Sequence, residues 1–124
     1  MYSAKVEKFE EGREYYSTGV KHRPDENAEK VLVAYDPVKN SFAWRAPQTG
    51  NTHSFAGVMS TATGLVFFGD DANSFEAVDG LTGKSLWHFN MGQSPHASPM
   101  SYAVDGKQYF AIAAGNDLFT FALP

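Results

Sequence analysis

The chain contains no cysteine, which excludes disulfides, thiolate metal sites and a cysteine nucleophile and leaves the redox compartment open. It has no run of the ~18 apolar residues that span a bilayer as a helix. Positive charge is scarce and scattered: ten Lys and Arg stand against fourteen Asp and Glu, for a net charge of −4. Binding to phosphates needs clustered cations, so nucleic acid is excluded as a partner. The N-terminus, Met1-Tyr-Ser-Ala-Lys-Val-Glu-Lys, has no apolar stretch of the signal-peptide type. No segment shows the periodicity of an amphipathic helix. The four histidines, His22, His53, His88 and His96, share no metal-ligand spacing such as i, i+4.

What is abundant suits strands. Of the 124 residues, 43% are hydrophobic and 15% aromatic, chiefly ten Phe and six Tyr. That is enough apolar material for one domain, and aromatic residues favour pleated, half-buried surfaces. Short strand signals alternate with turn chemistry throughout. They predict strands over 2–6, 14–19, 30–36, 41–45, 57–61, 65–69, 74–79, 85–89, 98–104, 108–114 and 118–123. Asp105-Gly106 between two of these is a strong two-residue hairpin signal.

Two tryptophans, Trp44 and Trp87, close two copies of one eleven-residue pattern set 43 residues apart. The first copy is Ala34-Tyr-Asp36-Pro-Val-Lys-Asn40-Ser-Phe-Ala-Trp44, the second Ala77-Val-Asp79-Gly-Leu-Thr82-Gly83-Lys-Ser-Leu-Trp87. A period of roughly 40–50 residues with a tryptophan signature points to β-propeller blades, each a four-stranded sheet. Asp36 and Asp79 end a strand, where a carboxylate can accept backbone N–H bonds from the following turn. Gly83 supplies the positive φ that such a turn requires, and Asn40 is the next best residue for it. Both tryptophans are expected in outermost strands, wedged between neighbouring sheets and burying ~150–250 Å² each.

The intact signature at 77–87 resembles the tryptophan-docking repeat of the quinoprotein dehydrogenases. These are eight-bladed propellers that use pyrroloquinoline quinone (PQQ). The stretch Phe55-Ala-Gly-Val-Met-Ser-Thr-Ala-Thr-Gly-Leu-Val-Phe-Phe-Gly69 is similar to the family's Trp-Gly-Gly-x-x-Ala-Thr-Ala-x-Gly-Leu-Val-Phe-x-Gly segment. The stretch Ser98-Pro-Met-Ser-Tyr-Ala-Val-Asp-Gly-Lys-Gln-Tyr-Phe-Ala-Ile-Ala-Ala-Gly115 resembles the family's final strands, and Phe9-Glu-Glu-Gly-Arg13 fits a turn found upstream. The resemblance covers essentially the whole chain and only the C-terminal part of a quinoprotein. It implies an all-β partial propeller of about two and a half blades: an incomplete blade over 1–46, a complete one over 47–90 and a truncated closing blade over 91–124. It also implies a fragment or truncated homologue of a PQQ- and calcium-dependent alcohol or sugar dehydrogenase, periplasmic or extracellular and not catalytic alone. In the family the catalytic Asp, the calcium ligands and the ring-stacking tryptophan lie in earlier blades. The vicinal disulfide of many members is impossible here.

By that resemblance the residues that reach the cofactor face are Phe55, Ala56 and Gly57. Phe55 lacks the indole N–H of the family's Trp, and Ala56 adds a methyl where the family keeps glycine; both departures count against PQQ binding. Gly57 opens an inner strand, where it can relieve crowding. His53 and His96 lie in loops expected on that same face, and either can bind an anion or move a proton near neutral pH. His88, next to Trp87, is expected to point the other way, into solvent. Other motifs carry less. Gly83-Lys84-Ser85 imitates the end of a P-loop but has Val78 where that motif needs glycine. Asp70-Asp71-Ala72-Asn73 lacks the Gly and Glu of a calcium loop and reads as a hairpin turn with solvated carboxylates.

No catalytic or metal-ligating set emerges from the spacing. A partial propeller leaves sheet faces and strand edges open. The chain is therefore expected to form a homo-oligomer or to join the remaining blades of a ring. The alternative function is a non-catalytic propeller scaffold or binding module, since fold alone does not decide activity.

Overall fold

A computed structural model describes residues 8–12, 29–49, 56–70 and 72–122. Among them every regular element is a β-strand: β1 (Val31–Asp36), β2 (Ser41–Pro47), β3 (Val58–Ser60), β4 (Leu65–Asp70), β5 (Ser74–Asp79), β6 (Ser85–Asn90), β7 (Met100–Val104), β8 (Lys107–Ala114) and β9 (Asp117–Ala122). They form three antiparallel meanders, β1-β2, β3-β4-β5-β6 and β7-β8-β9, called here the first, second and third sheets. This is the all-β, partial-propeller arrangement the sequence implied. The strands expected over 2–6 and 14–19 lie outside the described residues. The strand expected from Ser98 begins at Met100 instead, because Pro99 has no N–H to offer a ladder.

The turns follow from their residues. Asp105 and Gly106 both take positive φ, 50° and 79°, the twist a two-residue hairpin needs. Asp79 Oδ1 accepts the backbone N–H of Leu81 (2.9 Å) and Thr82 (2.8 Å) and the Thr82 hydroxyl (2.9 Å). Asp36 Oδ1 accepts from Val38 and Lys39 in the same way, at 2.9 and 3.1 Å. Gly83 sits at φ 72° and Asn40 at φ 52°, closing both turns in the left-handed region. The turn hydrogen bonds hold the Asp79 carboxyl below the ordinary carboxylate range, the Thr82 side chain contributing most.

The strand after each turn carries a bulge. Trp44 pairs with Ala34 and Phe42 with Tyr35, leaving Ala43 unmatched. In the next repeat Trp87 pairs with Ala77 and Ser85 with Val78, leaving Leu86 unmatched. An extra residue bends and twists its strand locally, and in both repeats it directly precedes the tryptophan.

Trp44 leaves the first sheet and lies on the turn of the second. Its Nε1 donates to the Gly80 carbonyl at 2.9 Å. A Cβ on Gly83 would lie only 2.5 Å from Trp44 Cε3 and 2.7 Å from Cδ2, so the ring packs on bare backbone. Between the second and third sheets the contact is aromatic. Phe67 stacks on Phe110 with centroids 4.4 Å apart, and Phe121 lies 5.5 Å from Phe75. Phe75 and Ile112 are almost wholly buried here, each worth about 1.5–3 kcal/mol of hydrophobic stabilisation. The central strands β4 and β5 are buried on both faces along most of their length, and β4 accordingly reads as the apolar run Leu65-Val-Phe-Phe-Gly69 rather than an alternation.

Trp87 is placed differently from Trp44. It meets Phe121 edge-on at 5.2 Å but stays 39% exposed. Beside it a groove of about 550 Å³ is lined by Leu65, Leu86, Trp87, Thr120, Phe121 and Ala122. The groove lies next to β9, the outer edge of the third sheet among the described residues.

Two outcomes test this account. Gly83→Ala adds a methyl inside the Trp44 contact at a left-handed φ and should destabilise the fold by about 2–4 kcal/mol in urea titration. Because its carboxyl titrates low in the fold, Asp79 lends stability that is fully present above about pH 4 and lost as pH falls further. Thr82→Val should therefore lower stability near neutrality, and the gap from wild type should close on acidification.

Candidate functional site

Ala56 and Gly57 lead into β3, and their surroundings decide what they can do. A Cβ on Gly57 would stand 2.0 Å from Ser98 Oγ and 2.8 Å from Ser98 Cβ. A Cβ on Gly69 would meet Pro95 Cγ at 2.5 Å and the Ala56 methyl at 3.1 Å. Pro95 is fully buried and bridges to Ala114. Two glycines of the second sheet thus let the loop before the third sheet approach its backbone. Phe55 and His53 lie outside the described residues, as does His22.

The same end of the strands carries a polar node. Asp70 is 1% exposed, which corrects the expectation of a solvated carboxylate in this hairpin. Its Oδ1 meets Lys30 Nζ at 3.2 Å and accepts the Ala72 N–H at 3.3 Å. Its Oδ2 accepts the Thr49 N–H at 3.1 Å and the Thr49 hydroxyl at 3.3 Å. Thr49 and Lys30 flank the two strands of the first sheet, whose ends are tied by Gln48 N–H donating to the Lys30 carbonyl at 2.9 Å. A carboxylate buried this deeply has to be paired and hydrogen-bonded, and here it fastens the first sheet to the second. The sequence held one signal of it: an aspartate directly ending the apolar run Leu65-Val-Phe-Phe-Gly69. Lys30, 40 residues away, could not be assigned to it from spacing.

Between these sheets lies a cavity of about 230 Å³ lined by Lys30, Leu32, Gln48, Ala56, Phe68 and Gly69. Gln48 Oε1 is buried at this junction with no hydrogen-bond partner among the described residues. His96 is exposed. His88 is exposed as well and pairs in register with Glu76, on the strand face opposite Trp87. Among the described residues no three His, Asp or Glu side chains are grouped to hold a metal ion.

Residues 29–110 match the PQQ family described as glucose/ethanol/alcohol dehydrogenase, beta-propeller domain. The chain belongs to this family. This quinoprotein-family chain is 45% identical over 85 residues to lupanine 17-hydroxylase [cytochrome c] of a Pseudomonas species, covering 68% of the chain and 12% of that protein. It is 31% identical over 109 residues to the quinoprotein alcohol dehydrogenase PedE of Pseudomonas putida, covering 86% of the chain and 17% of the relative. Among solved structures, the quinohemoprotein alcohol dehydrogenase of Comamonas testosteroni superposes with a TM-score of 0.68 at 32% identity, over 74% of this chain and 13% of that one. The quinohemoprotein alcohol dehydrogenase ADHIIG of Pseudomonas putida superposes with a TM-score of 0.64 at 36% identity, over 73% and 13%. The chain thus spans only a small fraction of the curated relatives it matches.

The described residues do not by themselves fit a quinone and its calcium ion. Calcium takes 6–8 oxygen ligands, and no such donor set is grouped among them. At Gly57 the space where a Cβ would stand is filled by Ser98. The glycine is accounted for by packing between sheets.

That packing has a direct test. Gly57→Ala should destabilise by about 1–3 kcal/mol through overpacking. Ser98→Gly should recover much of the loss in the double variant, measured by chemical denaturation of all four proteins. Additive effects would remove the contact from the account.

Proposed function

We propose that this chain is the C-terminal blade segment of a PQQ-dependent alcohol or sugar dehydrogenase, structural in role and without catalysis of its own. Membership of the PQQ family over residues 29–110 carries the reading. The divisions 1–46, 47–90 and 91–124 are its blades in this reading. The Trp44 contact with Gly80 and Gly83 is one instance of a docking device used between successive blades. A complete ring supplies the catalytic carboxylate, the calcium ligands and most of the PQQ site, with Phe55, Ala56 and Gly57 at its rim. The uncovered sheet faces are closed by those blades or by another copy of the chain. Relatives named for 1-butanol and for alcohols in general support an alcohol as the substrate of the whole. The compartment is periplasmic or extracellular, where quinoprotein dehydrogenases usually work.

A second reading, a non-catalytic propeller scaffold, is favoured by one observation: the charged node at Asp70 is spent on joining two sheets.

The isolated chain incubated with PQQ and calcium should elute without quinone absorbance and should not reduce a dye with alcohol. A relative in which this chain replaces the matching segment should bind PQQ and oxidise alcohol. Stoichiometric PQQ on the isolated chain would overturn the structural role. A folded chimera that cannot bind PQQ would favour the scaffold.

A further inference from the structure

The sheets repeat one unit, so matching corners of the two junctions can be compared residue by residue. Lys30 directly precedes β1, and Asn73, 43 residues on, directly precedes β5. Asp70 ends β4 opposite Ser74, the first residue of β5, and Ala114 ends β8 opposite Asp117, the first residue of β9. Lys30 and Asp70 meet at the corner between the first and second sheets. Asn73 and Ala114 hold the matching places between the second and third.

The two corners differ in charge. At the first, the Lys30 ammonium lies 3.2 Å from Asp70 Oδ1, with both side chains largely closed to solvent. At the second, the same two places are neutral. Asn73 accepts the Ser94 hydroxyl at 3.1 Å on Oδ1 and the Met91 N–H at 2.7 Å on its carbonyl, while the buried Ala114 is bridged by Pro95. A buried ion pair adds little net stability, because its attraction mainly repays the removal of two charges from water. A charge buried without its partner is a different matter. A copy of the second sheet docked in the first sheet's place would set Asn73 against Asp70. The first sheet docked on the third would set Lys30 against Ala114. Each arrangement strands one charge, which disfavours it by about 10²–10³-fold.

We infer that the Lys30–Asp70 pair selects the first sheet, and no other, as the neighbour of this face of the second. It is a recognition element between units that otherwise carry one shared signature. The tryptophan pattern is common to both repeats, and aromatic filling is non-directional, so neither distinguishes one sheet from another. Discrimination of this kind comes from penalising the wrong partner. The pair joins two sheets of this chain, so its action is independent of neighbouring blades and of any cofactor.

The full chain carries two tryptophans, and the indole N–H of Trp44 donates to the Gly80 carbonyl only when the first sheet is in place. Proton–nitrogen NMR of wild type should therefore show two indole signals. Lys30→Met and Asp70→Asn should each lower the urea midpoint, and the double variant should regain most of the loss seen in Lys30→Met. The neutral double should nevertheless show further indole signals, from sheets docked out of order, at least about tenfold stronger than in wild type. Lys30→Gln with Asp70→Asn gives a second neutral pair. Thr82→Val, which lowers the midpoint but leaves both charges in place, should keep two signals. Neutral doubles that show only the two wild-type signals overturn the inference, as do single-variant losses that simply add. Loss of β-sheet circular dichroism in both neutral doubles overturns it too, since the pair would then be needed for the fold itself rather than for the choice of neighbour.

Discussion

The indole of Trp44 lying on the bare backbone of the next sheet's turn is the contact that fixes how one sheet stands against another. It combines a large apolar surface with one directed hydrogen bond, so distance and rotation are set together. The turn must be free of a Cβ at Gly83 to admit the ring. It must also hold its shape, which the Asp79 carboxylate ensures by gathering the N–H groups of Leu81 and Thr82. The bulge before each tryptophan completes the device by aiming the ring off its own sheet. The tryptophan of one eleven-residue copy and the Asp and Gly of the next are thus three parts of a single joint.

At the opposite end of the strands the sheets are held by different means. Gly57 and Gly69 let Ser98 and Pro95 approach their backbones, where a side chain would force the sheets apart. Asp70, closed off from solvent, ties Lys30 and Thr49 of the first sheet to the second. Between the two ends lies the aromatic stack of Phe67, Phe75, Phe110 and Phe121, which is non-directional and supplies bulk stabilisation. The two junctions thus use different contacts: an indole on a turn and a buried carboxylate between the first and second sheets, close backbone approach and aromatic filling between the second and third.

Much of this was readable from residue order. Among the described residues, the strand positions, the Asp-Gly hairpin and the left-handed Asn40 and Gly83 follow from short-range rules: alternation, turn chemistry and the cost of a Cβ at positive φ. Gly57 was legible as a point of crowding because glycine in an inner strand has few other uses. Asp70 was not. Its turn reads as solvated, and burial comes from Thr49 and Lys30, which no local pattern ties to it. The differing environments of Trp44 and Trp87 were hidden for the same reason, since one repeat signature describes both.

The sequence by itself determined the period, the turn geometry, the family and the absence of thiol and clustered-cation chemistry. These depend on residue identity and near-neighbour spacing, which folding does not alter. Tertiary structure decided which carboxylate is buried, which glycine carries a neighbour's side chain and which tryptophan finds a turn to rest on. Each of those depends on what a different sheet brings within a few ångströms. Distance along the chain does not encode that proximity; the packing of one sheet on the next creates it.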